Sequence, residues 1–119
     1  MQTNRFLESA LSTGDPNIQA LAWELDVRAA TTEKNWKRAD DSLQKGLAIL
    51  DNFEIPVTAW RVHSTAYDFY SQKRKEMAEM HRARAEENIR ALADSFAPGE
   101  PLRRRFLGTA PVSRILYKS

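Results

Sequence analysis

The stretch from Val57 to Phe96 constrains the fold most, because it holds two consecutive helical patterns of different kinds. The first, roughly Pro56 to Ser71, has two apolar stripes, whereas the second, roughly Lys75 to Ser95, has mainly one. A helix that is apolar on two sides must be covered on two sides, while its partner can leave one face in water. We therefore predict a helix pair stacked against another pair. The first helix has the stripes Ala59, Val62, Ala66, Phe69 and Trp60, His63, Tyr67, Tyr70, and the second has Ala78, Arg82, Ala85, Ile89, Leu92, Phe96.

The preceding stretch repeats this alternation of a two-stripe and a one-stripe helix. Asp15-Pro16 is a favourable helix start, because a carboxylate can cap the helix and proline fits its first turn. The predicted helix runs to about Glu33, and after a turn at Lys34-Asn35 a second helix follows from Trp36 to about Asn52. The first helix has the stripes Ile18, Ala22, Leu25, Ala29 and Trp23, Val27, Ala30, and the second has Trp36, Ala39, Leu43, Leu47, Leu50.

Two details tie the predicted pairs together. Gly46 lies in mid-helix at a cost of about 1 kcal/mol relative to alanine, which favours the close approach of another helix. The two pairs also superimpose at an offset of 39 residues with consistent side-chain size, which indicates an internal repeat. The matched positions are Trp23 with Val62, Val27 with Ala66, Ala30 with Phe69, and Ala39 with Ala78.

Shorter helical patterns flank the two pairs. Asn4 to Leu11 is a short amphipathic stretch, and it is either the end of a helix whose partner lies upstream or an N-terminal cap. Ala97-Pro98-Gly99 ends the last long helix, and a further break is predicted from Gly108 to Pro111. We expect Leu102 to Leu116 to cover the exposed apolar face of the final helix pair.

Composition excludes several classes of protein. With 119 residues, 42% of them apolar, the chain can form one domain with a core. It has no cysteine, which excludes disulfides, thiolate metal sites and cysteine nucleophiles. The net charge of +2 divides into +4 from Pro98 to Ser119 and −2 in the rest. No stretch resembles a membrane span or a signal peptide, so we expect a cytoplasmic location.

The pattern resembles the tetratricopeptide repeat, a helix-turn-helix unit of about 34 residues. In the first pair the resemblance rests on Trp23, Val27, Ala39 and Leu43, and in the second on Val62, Ala66, Phe69, Ala78 and Ala85. The chain departs from the family pattern at Val27, Ala30, Gly46 and Arg82, and its 39-residue offset exceeds the usual period. The stretches Trp60–Tyr67 and Pro101–Leu107 also resemble the C-terminal ends of long bacterial repeat regions.

This resemblance implies an all-α fold of antiparallel helical hairpins, stacked as a right-handed solenoid with a C-terminal capping helix. Residues 1–119 would form a single domain. Its parts would be a leading helix at 1–14, repeat 1 at 16–53, repeat 2 at 56–96 and a helical cap at 100–117.

The resemblance also implies a non-catalytic protein-protein interaction module, at the end of a larger bacterial signalling or regulatory protein. In this family the first helices of successive repeats line a concave groove that holds a peptide or helix. No cofactor and no metal is implied, and the partner would be a protein or peptide. The implied groove residues are Leu21, Glu24, Arg28 and Thr31 in repeat 1 and Trp60, His63, Tyr67 and Tyr70 in repeat 2.

Alternatives remain for each candidate site. Trp60 and Tyr67 lie at helical spacing and are equally consistent with packing under the cap or a neighbouring chain. The run Arg103, Arg104, Arg105 can bind nucleic acid or another anion, or it can drape over the last hairpin with its charges in water. Self-association as a homodimer is the main structural alternative to peptide binding, and nucleic-acid binding is the less favoured one.

The remaining polar residues give no pattern typical of an enzyme or a metal site. His63 and His81 lie on facing predicted helices, with Asp68 or Glu79 as a third metal ligand, but the short ligand spacing of zinc sites is missing. Ser64 adjoins His63 and points elsewhere on the helix, so the two do not form a nucleophile and base. The sequence therefore predicts neither catalysis nor a metal centre.

Overall fold

The computed structural model describes the backbone of residues 2–117 and the side chains of residues 7–117. This part of the chain forms α-helices with no strand, which confirms the predicted all-α class. None of the described helices is long and apolar enough to cross a membrane. The helices are α1 (Gln2–Leu11), α2 (Pro16–Thr32), α3 (Trp36–Asn52), α4 (Pro56–Tyr70), α5 (Lys75–Asp94), α6 (Pro101–Gly108) and α7 (Ala110–Leu116).

Local capping interactions explain the boundaries of α2 and α3. The Asp15 side chain accepts a hydrogen bond from the Asn17 backbone N–H at 2.9 Å, with Pro16 in the first turn. Lys34 then turns the chain with a positive φ of 60°, and Asn35 caps α3 by accepting from the Arg38 N–H at 3.2 Å. Because these signals lie within a few residues of each boundary, the predicted ends agree closely with the observed ones.

Two apolar clusters form the core, and α4 contributes to both. The first cluster joins α2, α3, α4 and the start of α5 through residues such as Val27, Val62 and Ala78. The second joins α4, α5 and α7 and includes Trp60 and Ile89. The prediction that α4 is covered on two sides is therefore confirmed. The second cluster comprises Trp60, Ala85, Ile89, Val112 and Ile115.

For α2 the predicted burial is wrong at two positions of one stripe, although Ala22 of the same stripe is buried. Ile18 and Leu25 are 42% and 37% exposed, although both belong to a predicted buried stripe. By contrast, the acidic residues Glu24 and Asp26 are each only 3% exposed. The reason is that α1, α3 and α4 surround α2 on its other sides and leave the Ile18 face open.

A buried polar cluster links α2 to α3. Arg38 donates hydrogen bonds to both oxygens of Asp26 and, through Nη1, to Glu33 at 2.7 Å. Ser42 also donates to the Asp26 carboxylate. Burial alone would raise the pKa of Asp26, but these hydrogen bonds and the charge of Arg38 outweigh it and lower the pKa.

Gly46 lies at a close approach of three helices, as predicted. A Cβ atom at this position would lie 3.4 Å from the Trp23 Cβ and 3.7 Å from a Val62 methyl carbon. Both distances are ordinary van der Waals contacts, so the space holds one methyl group and little more.

Candidate functional site

A cleft of about 390 Å³ lies between α2, α4 and α7. Three of the predicted groove residues, Glu24, Arg28 and Trp60, line it together. The third wall belongs to α7, which the sequence placed in the cap. The cleft is lined by Glu24, Arg28, Trp60, Arg61, Ser64, Thr65, Asp68, Ala110, Pro111 and Arg114.

Glu24 supplies a buried negative charge to the α2 side of the cleft. Its side chain is 3% exposed, whereas that of its partner Arg28 is 58% exposed. The Arg28 Nε donates to Glu24 Oε2 at 3.0 Å, and no other described residue donates to this carboxylate. One carboxylate oxygen and the outer N–H groups of Arg28 are therefore available for further hydrogen bonds.

The α4 side of the cleft combines an aromatic ring with a cation. The Arg61 guanidinium lies 4.7 Å from the centroid of the Trp60 ring, which is a favourable cation–π distance. Trp60 is only 5% exposed, because Phe106 packs edge-on against it at 6.3 Å. Arg61 is exposed and makes no hydrogen bond to a described residue, so its donors face solvent.

Arg114 makes polar contacts between α7 and α4 at the rim of the cleft. It donates from Nη1 and Nη2 to the two Asp68 oxygens at 2.9 and 3.3 Å. Nη2 also donates to the Ser64 hydroxyl at 2.9 Å, and the guanidinium lies 5.8 Å from the Tyr67 ring centroid. Sequence reasoning missed these contacts, since the partners lie 46 and 50 positions apart and share no local pattern.

The predicted row of four aromatic residues on α4 does not form one exposed face. Trp60 and Tyr67 point towards α7, whereas His63 and Tyr70 point towards α5 and α3. Tyr70 is 7% exposed, and its hydroxyl accepts a hydrogen bond from Gln44 at 2.9 Å. At about 100° per residue the row spans an arc of about 80°, which is wide enough for two neighbouring helices to divide it. Trp60 and Tyr70 are buried, so these two rings offer little exposed contact area, although Trp60 still lines the cleft.

The arginine run is divided between packing and solvent. Arg103 donates from Nε to the Ala93 carbonyl at 3.1 Å and thereby caps the end of α5. Arg104 and Arg105 are exposed. Arg103 and Arg104 line a cavity of about 480 Å³, and Arg105 is not part of its lining.

The two histidines meet between α4 and α5, with their Nδ1 atoms 2.9 Å apart. The two acids that the sequence offered as a third metal ligand pair with arginines. Asp68 binds Arg114, and Glu79 accepts a hydrogen bond from Arg82 at 2.9 Å. In the described part of the chain, no group of three or more His, Asp or Glu side chains is arranged to hold a metal ion.

Comparison with known proteins gives no match: no family model, no curated protein and no solved structure is significantly similar to the chain. A function therefore has to be inferred from the residues of the cleft and their chemistry.

Proposed function

We propose that this chain is a non-catalytic protein-interaction module that binds a peptide or helix in the cleft between α2, α4 and α7. Its architecture would be a tetratricopeptide-like solenoid, with residues 16–53 and 56–96 as the repeats and residues 100–117 as the cap. It would belong to a larger cytoplasmic bacterial protein with a signalling or regulatory role.

The observation that carries this proposal is the arrangement of the cleft. Its two long walls are α2 and α4, the first helices of successive helix pairs, and these helices pack directly on each other. Peptide-binding grooves of helical repeats are formed in this way, by side chains from neighbouring repeats on one continuous surface. Glu24 and Arg28, which the family resemblance assigned to the groove, line this cleft.

The charges of the cleft favour an acidic segment as partner. Its lining includes three arginines and two carboxylates, which leaves one net positive charge. Arg114 is occupied by Asp68 and Ser64, so Arg28 and Arg61 are the cations with free donors. Guanidinium groups of this kind bind carboxylates through paired, charge-assisted hydrogen bonds.

Labelled peptides of equal length, rich in either glutamate or lysine, test this proposal by fluorescence anisotropy. We expect the glutamate peptide to bind more tightly and its affinity to fall with added salt. The double variant Arg28→Ala/Arg61→Ala should bind it at least about tenfold more weakly, because each charged hydrogen bond contributes about 1.5–3 kcal/mol.

The matched control is Arg104→Ala/Arg105→Ala, which removes two exposed arginines outside the cleft. It should change the affinity by less than about twofold. If the control and the Arg28→Ala/Arg61→Ala variant weaken binding equally, attraction is a property of the overall charge and the cleft is not the site.

Self-association is the second candidate, and the open face of α2 favours it. Ile18 and Leu25 are both exposed and lie seven residues apart, so they share one side of the helix. Sedimentation equilibrium over a wide concentration range should then detect a dimer that Ile18→Ser/Leu25→Ser abolishes. A strict monomer at the highest concentration would exclude this alternative.

A further inference from the structure

His63 on α4 and His81 on α5 form a hydrogen bond with their rings end to end. Their Nδ1 atoms are 2.9 Å apart, and their ring centroids are 5.1 Å apart. The centroid distance is close to the nitrogen distance plus the radii of two imidazole rings, so the nitrogens face each other directly. A single proton fits between them, and one neutral ring donates to the other.

The surroundings of this pair oppose an added positive charge. His81 is 4% exposed, and its Nε2 has no hydrogen-bond partner among the described residues. Tyr70 of α4 lies parallel to His81 at 5.6 Å, with its hydroxyl bound to Gln44 of α3. The Arg84 guanidinium on α5 adds a nearby like charge.

Three carboxylates line a cavity beside the pair. A cavity of about 360 Å³ beside His63 is lined by Asp51 and Glu54, near the end of α3, and by Glu87 of α5. No described carboxylate accepts a hydrogen bond from either ring, so these acids do not pair directly with the histidines.

Burial, the neighbouring His81 and the charge of Arg84 lower the pKa of His63 to about 4. Burial and Arg84 lower the pKa of His81 as well. When α4 and α5 separate, both rings enter water and titrate near their ordinary value of 6.5. Opening of the helix pair in mild acid is therefore coupled to the uptake of up to two protons.

We propose that the His63–His81 contact is an acid-sensitive joint that holds α4 against α5 at neutral pH and opens when both rings take up protons. The two neutral rings contribute their full stabilisation above about pH 6.5. That stabilisation is lost as the pH falls from 6.5 towards the lowered pKa values of the folded rings. In that range the opening equilibrium should rise by up to about a hundredfold per pH unit, since two protons are bound.

Titration of the two imidazole proton resonances by NMR tests this joint in the unmodified chain. Both histidines should stay neutral well below pH 6.5, and amide protection factors in α4 and α5 should fall in acid before those in α2 and α3. Folded-state titration at or above about pH 6.5, or an equal fall in protection in all four helices, would overturn the proposal.

The chain has only two histidines, so a His63→Gln/His81→Gln variant removes every imidazole. Between about pH 6.5 and 5, where ordinary carboxylates stay ionised, the midpoint of urea unfolding should fall in the parent chain and stay constant in this variant. An equal change of the unfolding midpoint with pH in both proteins would overturn the proposal. If the double variant does not fold, the single His63→Gln variant should still show a reduced slope.

Discussion

At the scale of single residues, the structure depends on small spaces between helices and on buried charges. Gly46 is the clearest small space, because α2 and α4 both approach its Cα from outside α3. Asp26 is the clearest buried charge, and it is tolerated because Arg38 and Ser42 satisfy both of its oxygens.

Replacing Gly46 by alanine should stabilise the chain by up to about 1 kcal/mol. Alanine has the higher helix propensity, and the added methyl would make ordinary contacts at 3.4 and 3.7 Å. Gly46→Leu should instead destabilise the chain by about 1–3 kcal/mol, because the extra atoms overpack the site. Urea unfolding of both variants checks the prediction, and it would be wrong if alanine were as harmful as leucine.

The Asp26→Asn variant should lose about 2–3 kcal/mol, because the Arg38 side chain, 26% exposed, loses the buried one of its two carboxylate partners and keeps only the exposed Glu33. The lowered pKa of Asp26 means that its stabilisation is present above the ordinary value of 3.8 and is lost as the pH falls below it. The free energy of unfolding of this variant should therefore change less with pH in strong acid than that of the parent chain. Asp41→Asn, on an exposed position of α3, is the matched control and should change stability by less than about 0.5 kcal/mol.

At the scale of helices, α7 shows how a short element is held. Val112 and Ile115 are completely buried against α4 and α5. The Arg114–Asp68 ion pair is by contrast largely exposed, with side chains 45% and 60% accessible. Burial of apolar area and not the ion pair should therefore hold this helix in place.

We expect Ile115→Ala to destabilise the chain by about 2–4 kcal/mol and Arg114→Ala by less than about 1 kcal/mol. Loosening of α7 should also expose Trp60 and shift its fluorescence to longer wavelength, in the first variant only. Thermal unfolding and tryptophan emission give the two measurements. A larger loss from Arg114→Ala would mean that the ion pair fastens the helix.

The division of the aromatic residues of α4 also belongs to this scale. Periodicity placed Trp60, His63, Tyr67 and Tyr70 on one stripe, and that stripe does face other helices. Which helix covers each ring depends on small differences in angle along the arc, together with the positions of α5 and α7. The sequence could not predict those positions, because no local signal reports the angle between two packed helices.

At the scale of the whole molecule, α4 joins the two apolar clusters into one structure. The described chain measures 44 × 34 × 24 Å along its principal axes, and α4 contacts α2, α3 and α5 within it. A substitution that destabilises α4 should therefore loosen the packing of both clusters.

Val62→Ala should lower stability by about 1–3 kcal/mol and accelerate amide exchange in both α3 and α5. Val62 is 1% exposed and lies in the first cluster, which includes Ala78 at the start of α5. An effect at Ala85 and Ile89, which belong to the second cluster, therefore measures the coupling between the two clusters. The exposed Val57→Ala change on the same helix is the control and should alter neither measurement. Acceleration confined to α3 would mean that the two clusters unfold separately.

Local signals were sufficient to predict the helical class and the limits of α2 to α5. Asp15-Pro16, Lys34 and Asn35 act through hydrogen bonds and backbone angles within a few residues, so their effect can be derived without a fold. The break near Thr109 was predicted for the same reason.

Three-dimensional packing decided which charges meet and which rings are covered. Arg114 reaches Asp68 across 46 positions. Glu24 is buried although Arg28 and Thr31, the groove residues that follow it on α2, are exposed. Such contacts depend on where distant helices come to rest, and helix periodicity specifies only the direction of each side chain about its own axis. The cleft, which combines side chains from three helices, therefore exists only once those helices have packed.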